Sequence, residues 1–108
     1  MVQTGEKILV VHRPLFQGDA RRHFIGTVLA FELPLIRAAG YVYAADATNR
    51  FRRHDPVRTR IISLTGDSLI VNVIPPEVQI ETVTYEYRAG ANIMLRDASG
   101  WHLDVSHL

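Results

Sequence analysis

The sequence predicts an all-β fold: a small, strongly bent β-barrel of about eight short strands, with little or no helix. Three observations carry this. Short runs of β-branched and aromatic residues recur at close spacing, each ended by Gly, Pro, Asn or Asp. No stretch has a helical apolar period. Gly26 and Gly40 stand inside two of the longest runs, where a glycine marks a bend or a close backbone approach.

Glu6 to Arg13 reads as the first strand, with Ile8 to Val11 apolar on both faces and Pro14 ending it. A polar connection turns at Gly18-Asp19. Phe24 to Glu32 is the second strand, broken by Leu33-Pro34. Ile36 to Asp46 is the third, with Tyr41 and Tyr43 on one face and Val42 and Ala44 on the other. Ala47 to Pro56 is the longest connection. Strands four and five form a hairpin about Gly66-Asp67, since Gly at the first central position suits a type II′ turn. That register sets Leu64 opposite Leu69 and Ile62 opposite Val71. One face then carries Ile62, Leu64, Leu69, Val71 and Val73 as core. Val78 to Arg88 is a sixth strand with an imperfect alternation, and Ala89-Gly90-Ala91 a turn. Asn92 to Arg96 and Trp101 to Ser106 make a last hairpin across Asp97-Ala-Ser-Gly.

At 108 residues the chain is read as one domain, 1–108, long enough to bury a core without staples. The longest apolar run, Ile8 to Val11, is too short to span a membrane. The first residues show no secretion signal, so a cytoplasmic location is expected. Without cysteine, disulfides, thiolate metal sites and a Cys nucleophile are excluded. The formal net charge is +1, but residues 1–60 carry +5 and residues 61–108 carry −4, a split that hints at a charged partner.

The order of a Gly-containing bent strand, a second such strand and a hairpin ending in Ile-Val-Asn-Val resembles the small bent barrels of the Sm-like class. The span is about Phe24 to Ile74. The RNA-binding members of that class carry an Arg-Gly or equivalent pair after the hairpin turn. Leu69 to Pro75 has Asn72 and no such pair, so their pocket maps onto no residue here. The Arg-Arg-His-Phe stretch (Arg21 to Phe24) and the Trp-x-Leu-Asp ending (Trp101 to Asp104) also resemble a small bacterial family without an assigned activity.

The strongest functional stretch is Arg50 to Arg60. Arg50, Phe51, Arg52, Arg53 and Arg58 are candidates for binding RNA or another single-stranded nucleic acid: guanidinium groups hold phosphate and an interleaved aromatic stacks on a base. A solvated loop is the plainer reading of the same residues. The five histidines have no metal-ligand spacing, so no metal or cofactor is expected; His102 and Asp104 share a strand face as an exposed pair. Hydrolase serine motifs and phosphate loops are absent, so a non-catalytic role is expected. Ile61, Ile70 and Ile74 would lie together on the outer face of the central hairpin. An apolar face of that kind needs cover. The leading expectation is therefore a self-associating structural or binding module, at least a homodimer, with nucleic-acid binding as the alternative.

Overall fold

A computed structural model describes residues 2–12, 21–65, 69–89 and 92–106. The turns expected at Gly18-Asp19 and Gly66-Asp67, most of Ala89-Gly90-Ala91, and the end of the first strand at Arg13 lie outside the described residues. The fold is all-β and antiparallel. Its strands are β1 (Lys7–His12), β2 (Arg22–Glu32), β3 (Leu35–Ala45), β4 (Phe51–Ser63), β5 (Leu69–Ile74), β6 (Thr84–Arg88), β7 (Asn92–Arg96) and β8 (His102–Asp104). One turn of 3-10 helix, Ile80–Thr82, precedes β6. The chain divides into two compact units, Met1–Ile74 and Pro75–Leu108.

The first unit is a five-stranded sheet in the order β4-β3-β2-β1-β5. This corrects the expected central hairpin. Ile62 pairs with Ile36 on β3, and Val71 pairs with Val10 on β1. Among the described residues no ladder joins β4 to β5, and the sheet is not closed. The expected face nevertheless holds for most of its members. Ile62 belongs to a core with Ile8, Val10, Phe24, Val28, Ile36 and Ala38, against which Leu64, Leu69 and Val71 pack. Val73 departs from it, at 53% exposed. The two sequence-adjacent runs thus share a core while each takes a different partner for its backbone.

The ladders fix the faces, because directly opposed residues share a side. Gly26 pairs with Gly40 in the middle of β2 and β3. A side chain at Gly40 would run into the Ile25 carbonyl oxygen and the Gly26 Cα, and one at Gly26 would meet the Ala39 carbonyl oxygen and the Phe24 ring. Backbone closeness, not a turn, demands both glycines. Tyr43 and His23 oppose each other on the side away from that core, and both are buried.

The Ala47 to Pro56 stretch is not a long connection. Asp46 to Arg50 makes a tight turn and β4 begins at Phe51. The Asp46 N–H donates to the Arg50 carbonyl and the Asn49 N–H to the Asp46 carbonyl, both at 2.9 Å, with Asn49 at φ 61°. Asn tolerates that left-handed conformation better than most side chains. Asp55-Pro56 does not stop the strand. Tyr41 faces a three-residue bulge between His54, paired with Val42, and Arg58, paired with Gly40. Proline is admitted to sheets at such bulges and on edge strands, and β4 is an edge.

The second unit is the meander β6-β7-β8. The expected sixth strand is shorter than its range: Val78 and Ile80 are buried ahead of β6, and the 3-10 turn interrupts the run. Asp97 organises this unit. Its carboxylate accepts from the N–H groups of Gln79 (2.7 Å), Ser99 (3.0 Å) and Trp101 (3.0 Å) and from the Ser99 hydroxyl (2.8 Å). Burial would raise its pKa, but these donors outweigh burial and hold it below the ordinary carboxylate value.

Candidate functional site: the basic edge strand and its cleft

Alternation along β4 sorts its arginines between two faces. Arg52 pairs with Ala44, His54 with Val42, Arg58 with Gly40 and Arg60 with Ala38. These partners lie on the side of the Ile36–Ala38–Val42 core, so all four β4 residues project on that side. Arg22 on β2 also pairs with Ala44, and His12 on β1 pairs with Arg22. A row His12–Arg22–Ala44–Arg52 therefore crosses four strands. Four guanidinium groups and two imidazoles share one face, and all are exposed. The charge division follows the two units: residues 1–74 carry a net +4 and residues 75–108 a net −3.

The sequence-predicted residues do not act alike. Arg52 donates from Nε to the Asp46 carboxylate at 3.2 Å. Arg50 gives its backbone N–H to the same carboxylate. Thr48 adds its hydroxyl at 2.6 Å and its N–H at 2.9 Å. These donors, the Thr48 hydroxyl first, hold the Asp46 carboxyl well below its ordinary value. Arg53 lies on the opposite face, its guanidinium 4.6 Å from the Tyr41 ring centroid. Phe51 is buried and stacked on His23, with ring centroids 4.4 Å apart and planes 18° apart. Its ring is a structural contact there and not an exposed platform for a base. Arg58 is exposed, and among the described residues no carboxylate pairs with Arg22, Arg58 or Arg60.

The interface candidates are also separated. Ile61 on β4 is 63% exposed, Ile70 on β5 is half-buried opposite Val11, and Ile74 is buried at 4%. Ile61 stands on one edge strand and the other two on the opposite edge strand, so they do not form one patch on one hairpin. The exposed apolar residues of these edges are Val57 and Ile61 on β4 and Val73 on β5.

Sequence reasoning missed a cleft of about 330 Å³ lined by His12, Phe24, Arg60, Ile61, Ile62, Ser63, Thr65 and Leu69. It lies beside the ends of β4 and β5. The Ser63 and Thr65 hydroxyls are 2.8 Å apart. Burial, then Arg60 and Arg22, lower the His12 pKa below its ordinary value, which places two cations in electrostatic reach of that imidazole. Arg60 at two residues from Arg58 was the one local signal, since i and i+2 share a strand face. His12 and Arg22 reach the site only through the ladders. Among the described residues no group of three or more His, Asp or Glu is arranged to hold a metal, and no helix is long and apolar enough to cross a membrane.

No family model, curated protein or solved structure matches the chain.

Proposed function

We propose that this chain is a non-catalytic, self-associating module. Its first unit is a small bent barrel, Sm-like in layout, left open between β4 and β5, and copies join through those two free edges. The observation that carries the reading is the exposed edge itself. β4 runs for 13 residues at the edge of the sheet, where among the described residues no second ladder joins it, and it exposes Val57 and Ile61. A long free edge is a template for another chain, and soluble proteins usually shorten or cover it. β5 offers the complementary edge with Val73 exposed. Pairing β4 of one copy with β5 of the next is head-to-tail, so it builds a closed ring or an open fibre and not a simple two-fold dimer. The partial closure of the bend is supported by the shared core: residues of β4 and β5 pack on the same cluster although the strands do not pair. Sedimentation tests it. The wild type should be larger than a monomer at micromolar concentration, and Ile61→Lys should release folded monomer. A monomeric wild type removes the proposal.

A second reading is nucleic-acid binding through the basic face. It is favoured by Arg22, Arg58 and Arg60 standing on one side of the sheet without a carboxylate partner among the described residues. Phosphate contacts of this kind need no base recognition and weaken steeply with salt. Arg58→Glu with Arg60→Glu should abolish retention of mixed single-stranded RNA at low salt. No retention by the wild type at low salt ends this reading.

A further inference from the structure

The cleft between the end of β4 and the start of β5 has a chemistry that assembly does not use. Arg60 and His12 line it, and Arg22 faces His12 directly across the β1–β2 ladder. Phe24, Ile62 and Leu69 supply an apolar wall, and Ser63 and Thr65 supply two hydroxyls that can donate. Among the described lining residues there is no carboxylate. At about 330 Å³ the cleft lies at the small end of the range for small-molecule sites.

We propose that this cleft binds the phosphate monoester of a small metabolite of nucleotide size. The phosphate sits among Arg60, His12 and Arg22, and the uncharged remainder lies against Phe24, Ile62 and Leu69. The planar fork of a guanidinium matches two phosphate oxygens at once, and a dianion balances two guanidinium groups where a single carboxylate leaves one uncompensated. The hydroxyls of Ser63 and Thr65 bond each other, and the Ser63 oxygen also accepts the Thr65 N–H at 3.3 Å; turning to further phosphate oxygens exchanges the bond between the hydroxyls and leaves the sheet ladders intact. The site does not rest on the assembly reading, because every group in it belongs to one copy of the first unit.

Calorimetry on the full chain in low-salt, phosphate-free buffer tests this with four probes: adenosine 5′-monophosphate, ribose 5-phosphate, inorganic phosphate and adenosine. The three phosphates should bind and adenosine should not. Arg60→Ala should weaken adenosine 5′-monophosphate binding at least tenfold, and His12→Ala several-fold. Arg37→Ala changes an exposed arginine paired with Ile61 on the other face of the sheet, and it should change nothing. Both Arg60 and His12 are exposed, so neither variant threatens the fold. The proposal is overturned if no phosphate binds at millimolar concentration, if adenosine binds as well as its monophosphate, or if Arg37→Ala weakens binding as much as Arg60→Ala. Sedimentation of the same samples reads assembly separately, so loss of one property is told from loss of the other.

Discussion

His23 makes the stability of the first unit depend on pH in a defined window. The imidazole is 1% exposed, sandwiched against Phe51, and paired across the ladders with Val11 and Tyr43. Burial first, then the positive Arg21 and the neighbouring His12, depress its pKa from 6.5 to about 4. The unfolded chain therefore takes up a proton near pH 6.5 that the folded chain refuses until about pH 4. Between those values the unfolded state binds more protons, so stability is complete above pH 6.5 and falls as the pH is lowered towards 4. A separation of this size, at about 1.4 kcal/mol per pH unit, corresponds to about 3 kcal/mol in full. His12, whose pKa is also lowered, adds a loss of the same sign. The depressed carboxyls of Asp46 and Asp97 act below this window, from their ordinary value of 3.8 downwards, and that of Glu86 enters only at its lower end, from 4.5 downwards. Urea unfolding followed by far-ultraviolet circular dichroism from pH 7.5 to 4.5 should show the decline. His23→Phe keeps a ring against Phe51 and should flatten most of it. Parallel losses in wild type and His23→Phe over that range would refute the assignment, as would an imidazole resonance of His23 titrating near 6.5.

Other outcomes follow from the same packing. Gly40→Ala places a methyl against the Ile25 carbonyl and the Gly26 Cα, and should cost on the order of 1–3 kcal/mol in urea unfolding; an unchanged midpoint would mean the strands are not so close. Asp97→Ala orphans the N–H groups of Gln79, Ser99 and Trp101 and should destabilise the second unit by on the order of 1–3 kcal/mol. Trp101 is the only tryptophan, so its fluorescence reports that loss directly. Val71→Ala removes methyl groups packed on the core of the first unit and should cost about 1–2 kcal/mol, in the lower range for core truncation because Val71 is half-buried.

The β class was legible because its signals are local. Alternation and punctuation placed every strand within a few residues except the starts of β4 and β6, and the paired Gly26 and Gly40 marked a real constraint. Strand partnership was not legible. The Ile62–Leu64 and Leu69–Val71 runs flank Gly66-Asp67 with the pattern of a hairpin, and their inward faces do share one core. Nothing local reveals that β1 takes the edge of β5 and β3 that of β4. The edge position of β4 also explains the misread Asp55-Pro56, since a bulge on an edge admits the proline that a central strand excludes. For the basic stretch, residue type was informative and role was not. Phe51 reads as a stacking aromatic until the β3–β4 register turns it towards His23, and His12 and Arg22 join Arg60 only through ladders that span distant parts of the chain.

Sedimentation equilibrium of the wild type beside Ile61→Lys and Val73→Lys tests the account most directly. Ile61 and Val73 are exposed on the two outermost strands of the sheet, so either lysine leaves the core intact and charges one edge. The account predicts an oligomeric wild type and a folded monomer from each variant. Mixing the two variants should restore nothing larger than a dimer, because each retains one usable edge and only one productive junction forms per pair. A wild type that stays monomeric across the micromolar range, or variants that assemble as it does, would contradict it.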